Sequence, residues 1–258
     1  MAEKETRNEP KDLIEAVPEE IAQLELEEAM EKEAPVEKIV EEQKKATMGW
    51  VPRTKLGKLV REGKEKDLDK ILSHGKKILE PEIVDSLLDL SSDLLLVGQA
   101  KGKFGGGKRR AWRQTQKKTQ EGNVITFSAM AVVGDKKGHV GVGYGKAKET
   151  LPAREKAVRN AKLGIIKVNL GFESPEHEKD KSDPHTIPFK IDGKCGSVRI
   201  TLWPAPRGTG LVINDECKKI LKLTGIRDVY STTRGFTRTT FNLAKACIDA
   251  LEKTTKLK

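Results

Sequence analysis

Residues 124 to 170 alternate, turn, alternate again and then change period, and that order constrains the fold more than any other feature of the chain. In VITFSAMAVV, Phe127, Ala129, Ala131 and Val133 face one way and Thr126, Ser128 and Met130 the other, which predicts a strand. Gly134 to Gly138 predicts a turn, with glycine free to take positive φ. His139 to Tyr144 reads as a second, glycine-rich strand. Thr150 then offers a cap oxygen, and Pro152 suits the first turn of a helix. Ala153, Ala157, Ala161 and Ile165 recur every four residues, joined by Val158, while Arg154, Lys156, Arg159 and Lys162 lie off that stripe. One helix face therefore packs on a sheet and its flanks present positive charge. Gly141-Val-Gly-Tyr-Gly145 does not match the dinucleotide pattern GxGxxG; its glycines admit either close helix packing or an RNA backbone.

Just upstream, residues 98 to 120 hold eight Lys/Arg and no Asp or Glu. Unpaired positive charge beside a folded platform suits a polyanion, because each cation that neutralises a phosphate releases condensed counterions. The formal net charge of +10 is unevenly placed. Residues 1 to 47 carry 15 Asp/Glu and 7 Lys/Arg, a net of −8, which leaves +18 on the remainder. An acidic extension on a basic body points to nucleic acid rather than to a membrane. The bland alternative, a soluble protein with many solvated cations, fits the clustering less well. No apolar run approaches the roughly 18 residues of a spanning helix. MAEKETRNEP holds no apolar signal core, so a cytoplasmic protein is expected. Cys195, Cys217 and Cys247 lack CxxC spacing and read as small buried apolar residues.

A chain of 258 residues can bury one large core or two modest ones. Residues 1 to 47, interrupted by Pro10, Pro18 and Pro35, read as disordered or as a helix formed on a partner, since Ile14, Val17, Ile21 and Leu24 make one stripe. Residues 48 to 97 read as helical, with apolar faces at Leu56, Leu59 and Val60, at Leu68, Ile71 and Leu72, and after Pro81. Residues 98 to 170 hold the basic glycine-rich insert and the strand–strand–helix unit. Residues 171 to 185 read as a linker. Residues 186 to 258 read as a second α+β domain with a basic tail: strands at Thr186–Ile191, Ser197–Trp203 and Ile226–Tyr230, helices at Asp215–Leu223 and Thr239–Leu251. The fold class is α+β.

Enzymatic chemistry finds no support. Gly102 to Lys108 nearly matches the phosphate loop GxxxxGK[ST], but Arg109 stands where the magnesium-holding hydroxyl belongs, and RAWRQTQKKTQ lacks the apolar face of a packed helix. The loop reads better as pliant backbone that lets Lys108, Arg109 and Arg110 approach phosphates. His74, His139, His177 and His185 share no ligand or triad spacing and read as solvated or structural. Pro206 to Gly210 reads as a tight turn that leaves Arg207 free to meet phosphate.

Four long stretches follow one another: TFSAMAVVGDKKGHVGVGYGKAKE, PAREKAVRNAKLGIIKV, HTIPFKIDGKCGSVRITLWPAPRGTGLVI and LTGIRDVYSTTRGFTRTTFNLAKACIDAL. In sequence and order they resemble the small-subunit ribosomal protein family S-five, over about residues 49 to 253. WVPRTKLGKLVREGK and STTRGFTRTT resemble its archaeal/eukaryotic branch. The resemblance implies a first domain similar to double-stranded-RNA-binding modules, with a three-stranded sheet packed on helices. It implies a C-terminal α+β domain with a left-handed βαβ crossover. It also implies binding to small-subunit rRNA beside ribosomal proteins S-four and S-eight, support of decoding accuracy, and a place in the basic lining of the channel through which mRNA enters. The family's accuracy loop falls at about Lys117 to Val124.

The expected activity is therefore binding, with no catalysis, cofactor, metal or small-molecule substrate. Candidate RNA contacts are Lys117 and Lys118 on that loop, Lys136 and Lys137 on the next turn, and Lys146 and Lys148 before the helix. Arg109, Arg110, Arg113 and Arg154 rank above nearby lysines, because a guanidinium meets phosphate bidentately. Lys108 precedes them in the glycine loop, and Arg207, Arg234 and Arg238 are the second domain's candidates. The alternative is a free-standing double-stranded-RNA-binding factor, which would bind isolated duplex and not co-sediment with ribosomal subunits.

Overall fold

The computed structural model describes residues 49–99, 109–173 and 183–256. The acidic extension and Lys108 with its glycine loop lie outside the described residues. Three short helices come first: α1 (Lys55–Arg61), α2 (Leu68–Ser73) and α3 (Pro81–Leu87). Thr54 caps α1 by accepting from the Gly57 N–H, and Pro81 opens α3 where its missing N–H costs nothing. Val60, Leu68, Ile71, Ile83 and Val84 form a small core with Ile78 and Ile165. The helical expectation for residues 48 to 97 needs one correction: Ser91–Leu94 is a strand, β1.

Next come β2 (Trp112–Thr119), β3 (Gly122–Gly134), β4 (His139–Ala147), helix α4 (Thr150–Leu163) and β5 (Ile165–Lys167). All five strands join one antiparallel sheet, against the three that the resemblance implied. β3 is long enough to hold two partners end to end on one edge: β2 opposite residues 122–129 and β1 opposite residues 131–134. β2 takes up most of RAWRQTQKKTQ and corrects the placing of a loop at about Lys117 to Val124. Lys117 and Lys118 pair with Val124 and Asn123, and the connection shrinks to the turn Thr119–Gly122, where Gly122 has φ of 120°. β2 gave no alternation signal because most of its residues face solvent, and only β3 supplies its pairing. Its cations also discourage further strands from adding to that open edge.

α4 lies on the sheet face of Ala129 and Ala131, with Ala153, Ala157 and Ala161 fully buried beneath it. The glycine-rich strand is what lets it approach. A Cβ on Gly143 would stand 2.1 Å from the Ala161 nitrogen and 2.2 Å from the Ala157 oxygen. Helix packing, not an RNA backbone, therefore explains those glycines. Thr150 is the first helical residue rather than the cap; Glu149 holds the cap position without a side-chain bond.

The C-terminal half contains β6 (Ile191–Cys195), β7 (Val198–Pro204), β8 (Leu211–Val212), α5 (Asp215–Thr224), β9 (Val229–Arg234) and α6 (Thr240–Lys256). The sheet order is β6-β7-β9-β8, antiparallel except for β8 and β9, which run parallel and are joined through α5. Two expected strands are shifted. The strand placed at Thr186–Ile191 begins at Ile191, because Pro188 cannot donate to a ladder and Gly193 belongs inside it. A Cβ on Gly193 would meet the Ala246 oxygen at 2.0 Å, so this glycine too serves close helix packing. The strand placed at Ile226–Tyr230 is β9, starting at Val229. Gly171 and Thr186 form a bridge that brings together the ends of the segment read as a linker.

The two halves share one core. Leu95, Met130, Val132 and Val140 pack with Ile187, Ile200, Leu202, Ile220, Leu221 and Leu251. Glu216, buried on α5, accepts from the Leu96 N–H at 2.7 Å and ties the exit of β1 to this core. Cys217 and Cys247 are buried within it, whereas Cys195 is only partly buried. Among the described residues, no helix is long and apolar enough to cross a membrane.

Candidate nucleic-acid interface

The register gathers six of the fourteen sequence-selected cations at one end of the first sheet. Trp112 opens β2 opposite Ala129, on the face that carries α4. The first turns of α4 bring Arg154 over its ring, with Cζ 4.9 Å from the ring centroid, and Arg110 lies 5.8 Å from the same centroid. Each cation–π contact contributes on the order of 0.5–2 kcal/mol. Two guanidinium groups on one indole also repel each other, a cost that a bound anion relieves. The Arg154 Nε is buried without a hydrogen-bond partner among the described residues. An open groove of about 370 Å³ runs beside the stack, lined by Gln99, Arg110, Trp112, Arg113, Gln114 and Gln116.

On the opposite face, Arg113, Ser128 and Lys146 stand side by side across β2, β3 and β4. Ser128 donates to the Arg113 carbonyl at 3.3 Å, and both cations are exposed. Lys148 follows just before α4, and Arg109 is exposed just ahead of Arg110. Arg109, Arg110, Arg113, Lys146, Lys148 and Arg154 thus belong to one end of the β2–β3–β4 surface. Trp112 is the residue that sequence reasoning missed. Its signal was available: it is one of three tryptophans and stands inside the acid-free run.

The other candidates lie elsewhere. Lys117 and Lys118 are exposed near the tip of the β2–β3 hairpin, and Lys136 and Lys137 sit on the β3–β4 turn at the far end of β3. At about 3.4 Å per residue those ends are roughly 40 Å apart. The Lys136 N–H donates to Leu223 and the Gly138 N–H to Thr224, which docks the turn on the end of α5. There Lys136 borders a cleft of about 570 Å³ with Lys218, Lys222 and Arg227, three cations the sequence did not single out. Arg207 donates to the Asp183 carbonyl at 3.0 Å. Arg234 stands opposite Arg199 on the C-terminal sheet, and Arg238 is exposed in the loop beyond it.

His139 proves structural. Its Nδ1 lies 2.6 Å from Asp135 and its Nε2 2.8 Å from Asp69 of α2, so it fastens the helical segment to β4. The hydrogen bond to Asp135 raises its pKa; burial opposes this, and Asp69 adds to the rise. Burial pushes Asp135 upward, but its bonds from His139 and from the backbone N–H groups of Lys137 and His139 outweigh that and lower it. Asp69 is likewise lowered, burial being outweighed by Lys167 and His139. His185 is buried in the C-terminal half, its Nε2 3.9 Å from Asp228.

Comparison with known proteins bears on this arrangement directly. The family described as "Ribosomal protein S5, N-terminal domain" matches residues 111–169, the stretch from Trp112 to β5. "Ribosomal protein S5, C-terminal domain" matches residues 193–258. The small ribosomal subunit protein uS5 of Nanoarchaeum equitans is 49% identical over 205 residues, covering 79% of this chain and 87% of that protein. The uS5 proteins of Hyperthermus butylicus (46%, covering 80% and 90%) and Thermofilum pendens (45%, covering 80% and 94%) match comparably. With both halves matched in order, and relatives covered over nearly their whole length, this chain belongs to the small ribosomal subunit protein uS5 family.

Proposed function

We propose that this chain is a structural constituent of the small ribosomal subunit and binds small-subunit rRNA. In this reading the first half acts as a module similar to double-stranded-RNA-binding domains. It recognises RNA by shape, through phosphate and 2′-OH contacts, with little reading of bases. The observation that carries the proposal is the Arg110–Trp112–Arg154 stack. The indole fixes two guanidinium planes in advance, so less side-chain freedom is lost when each fork meets a phosphate. Arg109, Arg113, Lys146 and Lys148 extend the same contact, and Lys108, outside the described residues, is a further expected contact.

The finer roles are proposed on the resemblance alone. Lys117 and Lys118, on a narrow arm, are assigned to decoding accuracy and to the basic lining of the channel by which mRNA enters. Ribosomal proteins S-four and S-eight are the expected neighbours, and the cytoplasmic ribosome the expected location. The crossover from β8 through α5 to β9 is assigned the left hand, and Lys136, Lys137, Arg207, Arg234 and Arg238 are secondary rRNA contacts. The role is architectural, without a catalytic step.

Two variants test the core of this reading. Arg110→Ala with Arg154→Ala should weaken binding to a small-subunit rRNA fragment and flatten the slope of log K against log salt by about 1.8, close to 0.9 per lost phosphate contact. Trp112→Ala keeps both charges and should weaken binding while leaving the slope nearly intact. An unchanged affinity and slope in the double variant, with native protein absent from sedimented small subunits, would refute the proposal.

A further inference from the structure

The C-terminal sheet buries one face and leaves the other open. α5 and α6 cover the side of Ile191, Val198, Ile200, Leu202 and Val229. The alternating residues point away from them, and the register arranges these in rows across the strands. Val212, Tyr230 and Trp203 form one row over β8, β9 and β7. Lys190 extends it, with Nζ 5.5 Å from the Trp203 ring centroid. Two residues along lies a row of short side chains, Thr232, Thr201 and Asp192. Two residues further, Arg234, Arg199 and Lys194 stand abreast on β9, β7 and β6. Tyr230 is 43% and Val212 49% exposed. The three cations are exposed, and none forms an ion pair among the described residues.

We propose that this sheet face is a second nucleic-acid site, specific for single-stranded RNA, with bases stacked on Tyr230 and Trp203 and phosphates held by Lys194, Arg199 and Arg234. Like charges directly opposite on neighbouring strands destabilise a sheet, so three in a row favour a polyanion laid across them. Among the described residues of these three rows Asp192 is the one acid, at the β6 edge of the middle row. The aromatic row adds what phosphate binding alone does not need. Stacked bases of a duplex are hidden from it, whereas a single strand offers every base's π-face. The two outer rows are four residues, about 13 Å, apart along the strands. A stacked single strand covers that distance in roughly four nucleotides. The threonines between leave a low floor for the chain to cross. The site is independent of the Trp112 cluster and stands whether or not that cluster binds rRNA.

The test titrates the full-length protein with a fluorescent twelve-nucleotide oligouridylate and with a duplex of equal length. Trp203→Ala with Tyr230→Ala should weaken oligouridylate binding at least about tenfold while changing duplex binding less than twofold. Arg199→Ala with Arg234→Ala should lower the single-strand salt slope by about 1.4. Tyr230→Phe keeps the ring and should bind as the parent does. Photocrosslinking of bound oligouridylate to the parent protein, which needs no variant, should label peptides containing Trp203 or Tyr230. Crosslinks confined to the first half, or equal loss of single-strand and duplex binding, would overturn the proposal and leave this face to a protein neighbour.

Discussion

Replacing Gly143 by alanine should separate α4 from its sheet. The new Cβ would lie 2.1 Å from the Ala161 nitrogen, 2.2 Å from the Ala157 oxygen and 2.7 Å from the Asn160 carbonyl carbon. All three are backbone atoms, so no rotamer change relieves the clash. Ordinary contact begins near 3.4 Å, so the helix must retreat by more than 1 Å. A gap of that size forfeits a quarter to a half of the dispersion energy of each lost contact. The loss falls along Ala153, Ala157 and Ala161, all fully buried. Overpacking of this kind costs typically 1–3 kcal/mol, and rigid backbone on both sides places this site near about 3. For a folded unit of this size that is a drop of roughly 6–12 °C in Tm. Arg154 rides on α4, so its stack on Trp112 should loosen and RNA affinity should fall as well. Gly164→Ala is the control, since its Cβ meets nothing closer than 3.5 Å. Thermal unfolding followed by circular dichroism decides the matter. A Gly143→Ala protein melting within 2 °C of its parent, or a Gly164→Ala protein equally damaged, would refute the packing argument.

Stability should also report on His139. Its raised pKa stabilises the fold fully below the unfolded value near 6.5, and the contribution disappears as pH rises through the folded value. Tm should therefore fall between pH 6 and pH 9 in the parent and fall less in His139→Gln; parallel curves would show that the Asp69–His139–Asp135 bridge contributes nothing. The lowered pKa values of Asp69 and Asp135 work the other way, with support present above about pH 3.9 and lost as pH falls through their folded values. Deleting residues 1–47 removes a net charge of −8 and should speed non-specific RNA association about tenfold or more at low salt, with the difference vanishing at high salt. Stopped-flow rates equal to the full chain's at every salt would remove any electrostatic role for the extension.

The elements that the sequence disclosed are those whose surroundings impose a period. α4 showed through Ala153, Ala157 and Ala161 because a single sheet face demands a four-residue repeat. The C-terminal half of β3 showed because its alternate residues enter different cores, Ala129 and Ala131 against α4, Met130 and Val132 against the shared core. β2 and β1 stayed hidden for the opposite reason. Each takes its conformation from backbone pairing with β3 while its side chains remain largely in solvent, so hydrophobicity carries no record of the strand. Gly193 fell outside the strand placed at Thr186–Ile191, yet it lies within β6 where α6 packs closely against it.

The candidate site divides along the same line. Charge is legible in a sequence because each Lys or Arg announces itself: the basic run put Arg110 and Arg113 among the candidates, and the flank of the helix stripe put Arg154 there. Position is not legible, because it depends on register. Eighteen residues separate Lys118 from Lys136, yet the two stand at opposite ends of one strand, whereas Arg110 and Arg154, forty-four positions apart, share one indole. Arg199 and Arg234 are opposite each other only because β7 and β9 pair in that register. An excess of cations confers affinity for any polyanion, and affinity of that kind declines with salt without choosing among partners. Choice requires that the charges be held at fixed separations by groups that do not titrate. In this chain Trp112 does so on one sheet, and the strand spacing does so on the other.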